Sequence, residues 1–391
     1  MKQKIYSLPW AGKTLTAEFT DLAGQTNGSV IIRFAETAVF ATAVMSKHDK
    51  ESDYFPLSVD YEEKFYASGV IRGSQYIRRE GRPGDDSIIR GRIVDRTIRP
   101  LFDHHIRREV QAVIMALAVD EHDTDVFAVL GASLALGVSD IPWNGPVGAV
   151  RLARKTGIKD WLINPKFSER VEGEMDFEMI VCGKNGNINM IEVEAGEISE
   201  HEMADALEVA LKHITEVEEF QKKIISEVGK VKQEFPKKTL ADAEIALFEE
   251  TVTPNLEKAM FSGAGKAGIY ALKETWMNLY EEKFPEGESA LAEYRFDEAV
   301  NEKLHNEAIE NSRRPDSRKM EELRELFAKA GEVSPVLHGS GIFYRGETHM
   351  FTALTLGGPQ EAQTVDTIEG IEKKKRFMHH YNFPPFSVGE A

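Results

Sequence analysis

The sequence predicts an α+β protein in which two mixed-sheet domains, the second incomplete, flank an all-helical segment. Three observations carry this reading. A strand-turn-strand pattern recurs far along the chain, an apolar helix sits among strand-like segments in the first copy, and helical periodicity fills residues 240–310. The chain of 391 residues is long enough for two or three domains.

The repeat links Gly28 to Phe40 (GSVIIRFAETAVF) with Gly339 to Phe351 (GSGIFYRGETHMF) at a constant offset of 311. Apolar and β-branched residues flank small turn residues in both copies, so each reads as two strands joined tightly around Glu-Thr. Pro56 to Val59 (PLSV) is echoed by Pro385 to Val388 (PFSV), where the offset has drifted to 329. Each of these reads as a third strand, with a longer loop before it in copy two. Three strands cannot bury their own sheet faces, so copy two is expected to be truncated.

The remaining elements follow in order. Ile88 to Leu101 reads as a helix capped by Asp85 or Asp86, with Ile89, Ile93, Thr97 and Leu101 on one face and Arg92, Arg96 and Arg99 on another. Val126 to Leu136 is apolar nearly all round, with Asp125 as its cap and Gly137 at its end, and should be buried against a sheet. Phe177 to Cys182 and Ile188 to Ala195 read as strands turned at Asn185-Gly186, because Asn-Gly supplies positive φ angles. Ser199 and Glu202 form a capping box. The helix behind it carries apolar residues from Met203 to Val228 at spacings of three and four, and Gly229 ends it.

Lys237-Lys238 after Phe235-Pro236 marks a linker. From Leu240 to Glu310 sixteen acids face six bases, and the periodic runs there predict helices punctuated by Pro254, the glycines at 263–268 and Pro285-Glu286-Gly287. The expected domains are 1–143 and 144–235 as the two parts of the first sheet domain, 236–312 as the helical domain, and 313–391 as the start of the second sheet domain.

Composition narrows the class. With 42% hydrophobic and 29% charged residues and a mean hydropathy of -0.35, the chain reads as soluble and globular. The longest nearly uncharged stretch, Val126 to Gly137, is shorter than the roughly 18 residues of a bilayer crossing, so no membrane partner is expected. The N-terminus lacks a signal peptide's apolar core, and the single cysteine, Cys182, cannot form an internal disulfide or a multi-cysteine zinc site. The expected location is the cytoplasm.

A net charge of -17 argues against a general nucleic-acid coat protein. The window from Arg72 to Arg108 is the local exception: ten arginines, no lysine and five acids. Its first part, Gly73 to Gly84, lies between a strand and a helix and reads as an exposed loop. Guanidinium groups bind phosphate bidentately and stack on bases, and Tyr76 adds a π-face, which suits single-stranded nucleic acid. The competing reading is a solvated charged loop; the exclusive choice of arginine favours the first. The stripe of Arg92, Arg96 and Arg99 either lines the same surface or pairs with Asp95, Asp103 and other acids. Gly263 to Lys266 lacks the spacing and the hydroxyl of a phosphate loop. His379-His380 and Asp103-His104-His105 lack a spaced third metal ligand and read as structural.

Tyr76 to Pro83 (YIRREGRP), Ile93 to Phe102 (IVDRTIRPLF) and His380 to Glu390 (HYNFPPFSVGE) together resemble the bacterial polynucleotide phosphorylases, and Gly131-Ala132-Ser133 and Ile141 to Pro146 (IPWNGP) fit the same pattern. The resemblance runs from the first strands to the last residues. It implies duplicated ribonuclease PH-like domains separated by a helical domain. It also implies a 3′-to-5′ exoribonuclease, a nucleotidyltransferase acting in mRNA turnover and RNA processing, with inorganic phosphate as co-substrate and Mg²⁺ as cofactor. Such enzymes form ring-shaped homotrimers that thread single-stranded RNA, and other RNA-degradation proteins are further expected partners.

The implied RNA-binding residues are Tyr76, Ile77, Arg78, Arg79 and Arg82; the family's loop has two phenylalanines where Tyr76 and Ile77 stand. The family's phosphate-gripping, metal-binding and catalytic residues lie beyond the second copy's Ser-Val-Gly-Glu, so no catalytic or metal residue is assigned within this chain. Residues 1–391 alone are therefore expected to be inactive. The KH and oligonucleotide-binding modules that commonly follow are outside this sequence. The alternative is a non-catalytic, RNA-binding ring-scaffold subunit.

Overall fold

The computed structural model describes residues 3–50, 52, 54–71, 80–171, 173–236, 238–263, 266–331, 333–368 and 372–389. Spatial contacts divide the chain into two compact units, Met1–Pro236 with Gln363–Ala391, and Lys237–Ala362.

The first unit begins with strands β1 (Lys4–Trp10), β2 (Lys13–Phe19), β3 (Gly28–Phe34), β4 (Thr37–Asp49) and β5 (Leu57–Glu62). A short 3-10 turn, Phe65–Ser68, precedes the arginine segment, and α1 (Asp85–Ile98) follows it. Then come β6 (Arg108–Ala118), α2 (Asp125–Val138), β7 (Gly148–Lys155), β8 (Leu162–Ile163), β9 (Met175–Lys184), β10 (Asn187–Ala195) and the long α3 (Glu200–Val228). One sheet has the order β1-β2-β3-β4-β6-β5, antiparallel except for the parallel pair β5 and β6; the other, β10-β9-β7-β8, is antiparallel throughout.

Every residue of α2 is buried, because it packs on β3 and β4 of one sheet, on β7 of the other and on α3. That all-round contact explains why its sequence has no polar face. The helix approaches closely where side chains are small: a Cβ at Gly131 would come within 2.9 Å of the Ala41 Cβ, and one at Gly28 within 2.1 Å of the Ala135 carbonyl oxygen. Its one buried hydroxyl is used, since Ser133 Oγ accepts from the Val147 amide at 3.0 Å.

Several sequence expectations hold. β9 and β10 turn at Asn185 and Gly186, both with positive φ, and Ser199 and Glu202 close a reciprocal capping box at the start of α3. Others are corrected. The cap of α1 is Gly84, and Asp85 and Asp86 lie in its first turn, where they face the positive end of the helix dipole. Ile89, expected on the buried face, is exposed, while Arg90 is buried because acids wait for it beneath. Thr124 takes the cap position of α2, and Asp125 is the first helical residue, drawn into an ion pair with Arg151. The C-cap is Ser139 rather than Gly137.

The second unit opens with α4 (Asp242–Thr251), α5 (Thr253–Phe261), α6 (Ala267–Lys283) and α7 (Ser289–Asn311). Trp276, Tyr280, Phe248 and Phe296 form its core; Trp276 Nε1 donates to the Ala292 carbonyl at 3.0 Å and Phe248 meets its ring edge-on at 5.1 Å. A three-stranded sheet follows, β11 (Leu326–Ala330), β12 (Gly339–Arg345) and β13 (Thr348–Leu354).

The repeat reappears as geometry. In the first copy Gly28 pairs with Ala43 and Phe34 with Thr37; in the second Gly339 pairs with Leu354 and Arg345 with Thr348, the same register at the same offset. The first turn residue is left-handed in both, Ala35 at φ 52° and Gly346 at φ 59°. The third strand does not recur. After the hairpin of β14 (Gln363–Asp366) and β15 (Glu372–Lys375), Pro385–Ser387 forms a 3-10 turn. In copy one the equivalent β5 is held by its parallel ladder to β6; among the described residues after β13, no strand offers the Pro385 segment such a ladder.

Candidate nucleic-acid interface

Of the expected RNA-binding residues, Tyr76, Ile77, Arg78 and Arg79 lie outside the described residues, as does Arg72. Arg82 is described and exposed. The described residues on either side of this segment are held as follows. The turn Phe65–Ser68 is tied to β6 by the Val119 amide, which donates to the Ala67 carbonyl at 2.8 Å. Gly69, left-handed at φ 72°, ends the turn, and the Val70 amide donates back to the Phe65 carbonyl at 3.3 Å. On the far side of the segment Glu80 returns to the same place: its Oε1 accepts from the Phe65 amide at 2.7 Å and its carbonyl from Lys64 Nζ at 3.0 Å.

Below these residues lies an ionic network that the sequence reasoning missed. Arg90 of α1 pairs with Glu63 and reaches Asp123 at 3.6 Å. Arg151 of β7 pairs with Asp125 and Glu178 and approaches Asp123 at 3.3 Å; Arg170 pairs with Asp123 and, at 2.6 Å, with Glu178. Burial acts to raise the Asp125 carboxyl, but Arg151 and Arg90 outweigh it and hold the group below the usual carboxylate range. The Glu63 and Arg90 pair brackets the arginine segment in sequence. The available signal was an Asp-x-Asp step before an apolar helix and two arginines, Arg151 and Arg154, inside an otherwise apolar strand.

A cavity of about 1260 Å³ opens beside this network, lined by Glu63, Lys64, Arg82, Arg170, Asp176 and Glu178 among others. The two readings of the α1 stripe resolve in favour of pairing for two residues: Arg96 pairs with Glu192 and Arg99 with Asp95 at 2.6 Å, whereas Arg92 is exposed. His105 Nε2 lies 3.0 Å from the Phe235 carbonyl and the His104 ring stacks on Phe55 at 6.1 Å, which are structural roles. Among the described residues no three His, Cys, Asp or Glu side chains converge as a metal site, so the groups here do not fit Mg²⁺. Ala264 and Gly265 of the glycine cluster lie outside the described residues.

The arrangement is an ion-paired network beneath the Phe65–Ser68 turn and Glu80, with the exposed cation Arg82 close by in sequence. Residues 11–142, which contain all of that segment, match the model of the 3′ exoribonuclease family, domain 1. Polyribonucleotide nucleotidyltransferase of Staphylococcus aureus strain RF122 is 39% identical over 100% of this chain and 56% of its own length, and that of strain JH9 gives the same figures. The chain matches the N-terminal portion of the polyribonucleotide nucleotidyltransferases. It thus spans little more than half the length of these curated relatives. With its mixed sheets and the matched domain, the first unit has an RNase PH-like α+β fold. Solved structures similar to the chain include the Archaeoglobus fulgidus exosome with RNA bound to the active site, 18% identical over 57% of this chain and 88% of that one, at a TM-score of 0.42. Rice Rrp46 is 12% identical over 57% and 94%, also at 0.42. Among the described residues no helix is long and apolar enough to cross a membrane.

Proposed function

We propose that the chain belongs to a phosphorolytic 3′-to-5′ exoribonuclease, a polyribonucleotide nucleotidyltransferase active in mRNA turnover and RNA processing in the cytoplasm. The 39% identity that extends over the whole chain carries this reading. In the reaction an oxygen of inorganic phosphate attacks the phosphorus of the 3′-terminal phosphodiester. The bond from that phosphorus to the 3′-oxygen of the preceding nucleotide breaks, and that oxygen leaves as the new 3′-hydroxyl after taking a proton. The product is a nucleoside diphosphate, and the reverse reaction extends RNA.

The role of residues 1–391 in this reading is to hold RNA. Arg78, Arg79 and Arg82 neutralise phosphates, Tyr76 stacks on a base and Ile77 supplies apolar contact at the constriction of a homotrimeric ring. The domain boundaries at 143, 235 and 312, the pairing of two ribonuclease PH-like copies and contacts with other RNA-degradation proteins belong to the same proposal. Mg²⁺ serves the family as the cation that offsets charge on the reacting phosphates. No residue of this chain is assigned to it, and residues 1–391 alone are proposed to bind RNA without turning it over.

The test is the product formed from polyadenylate in the presence of phosphate and Mg²⁺. The protein that carries these residues, purified from its source, should release adenosine diphosphate. Release of the monophosphate, or RNA binding with no release at all, overturns the proposal, the second outcome in favour of a ring scaffold. Release of diphosphate by residues 1–391 alone would overturn only the assignment of a purely binding role.

A further inference from the structure

We propose that Lys13 is an acylation site, its amine served by His122 as a base and modified by activated acyl donors of the acyl phosphate or thioester class. The observation is a chain of three side chains far in sequence from the arginine segment. Asp120 Oδ1 lies 2.8 Å from His122 Nδ1, and His122 Nε2 lies 2.7 Å from Lys13 Nζ. An ammonium can only donate, so Nε2 is the acceptor and the ring proton sits on Nδ1, from which it is donated to Asp120. The imidazole is therefore neutral and turns its lone pair to the lysine. Asp120 is fixed in turn, because it accepts from Thr37 Oγ1 at 2.6 Å and from the His122 amide at 2.9 Å.

A nucleophile in hydrogen-bond contact with a base, and the base with an orienting acid, is the arrangement that activates a side chain for acyl transfer. The base is held in place: His122 is 2% exposed and its ring meets Phe34 edge-on at 5.3 Å. The nucleophile is approachable, because Lys13 is half-buried and follows a tight turn at Ala11 and Gly12, where a Cβ on Gly12 would meet nothing within 4 Å. In the step itself Lys13 first gives one ammonium proton to solvent, and the free Nζ lone pair attacks the acyl carbonyl carbon. A nitrogen–carbon bond forms, the bond from that carbon to the phosphate oxygen or thiolate sulfur breaks, and the leaving group departs with the electron pair. The surplus proton on nitrogen passes to His122 Nε2 and from there to water. The product is a neutral amide where the chain carried a cation.

The experiment incubates the intact protein with acetyl phosphate in one arm and acetyl coenzyme A in the other, and follows each lysine by mass spectrometry of peptides cut after glutamate. Lys47, Lys159 and Lys212, all exposed, serve as references. Lys13 should acetylate about ten-fold faster than these in one arm or both, against the roughly hundred-fold or more that a base contributes within an enzyme, and the faster arm identifies the donor class. If Lys13 is no faster than the references in either arm, the proposal is overturned without recourse to any variant. Two substitutions then test the base. His122→Gln keeps a donor for Asp120 and an acceptor for Lys13 but has no basic nitrogen. Asp120→Asn offers an amide donor to Nδ1 and moves the ring proton to Nε2, which removes the acceptor facing Lys13. Both should bring Lys13 down to the reference rate while the references hold theirs, which reports an intact fold. A Lys13 that stays fast in the variant with unchanged references owes its reactivity to exposure alone, and that also overturns the proposal.

Discussion

The hairpin of β3 and β4 and the hairpin of β12 and β13 share a register, a left-handed first turn residue and an offset of 311, yet they end in opposite environments. Ile32 is 1% exposed and its counterpart Phe343 is 40% exposed. Helix α2 lies across the first hairpin, and β13 is exposed along its whole length. The turns differ as well. In the first, Asp120 accepts from Thr37 Oγ1 at 2.6 Å and from the Glu36 amide at 3.3 Å; in the second, Thr348 Oγ1 accepts from Arg324 at 3.2 Å. The local sequence therefore sets strand pairing and turn, while the covering element sets what those strands contribute to stability.

The comparison is sharpest where charge is buried. Arg151→Met leaves Asp123, Asp125 and Glu178 short of a partner and should cost roughly 3–5 kcal/mol of unfolding free energy. Arg96→Ala, which removes one member of the half-exposed pair with Glu192, should cost about 1 kcal/mol or less. Urea unfolding of the two variants reads both. Equal costs would mean that the network of Arg90, Arg151 and Arg170 is no more than a surface feature.

The two hairpins offer the next contrast. Ile32→Ala should destabilise by roughly 2–5 kcal/mol because it opens a cavity under α2. Phe343→Ala should stay within about 0.5 kcal/mol. A large loss at Phe343 would show that the second hairpin is covered as the first is.

A smaller effect concerns pH. Burial works to raise Asp120, but hydrogen bonds from Thr37 and His122 outweigh it and bring the carboxyl to about 2. A depressed carboxylate stabilises the fold fully above its unfolded value of about 3.9 and loses that contribution as pH falls through about 2. Amide exchange at the first turn should therefore quicken over that window while exchange at the second turn does not, and Asp120→Asn should abolish the difference. Equal acid sensitivity of both turns would contradict the assignment.

Much of the fold was legible because its signals are local. The Ser199 and Glu202 box, the Asn185-Gly186 turn, the apolar α2 and the repeat all depend on neighbours in sequence. What could not be read depends on partners far away. Periodicity placed Ile89 inside and said nothing of Arg90, whose burial depends on Glu63 and Asp123. Asp125 looked like a cap until Arg151 claimed it from another strand. The Pro385 segment matched a strand in sequence, but a strand needs a ladder partner. At the candidate site the arginine richness was visible at once. Glu80 was not, because an acid within a basic run reads as charge balance unless its bond to Phe65 is seen.

The central claim, that the arginine loop holds RNA by its phosphates, is tested most directly by the salt dependence of single-strand affinity in the parent and in the Arg78, Arg79 and Arg82 to Ala variant. If the loop grips phosphates, the variant binds more weakly at every salt concentration, and its log-log slope is shallower by about 0.7 for each phosphate that is no longer neutralised. An unchanged affinity with an unchanged slope would contradict it and leave the loop as a solvated face.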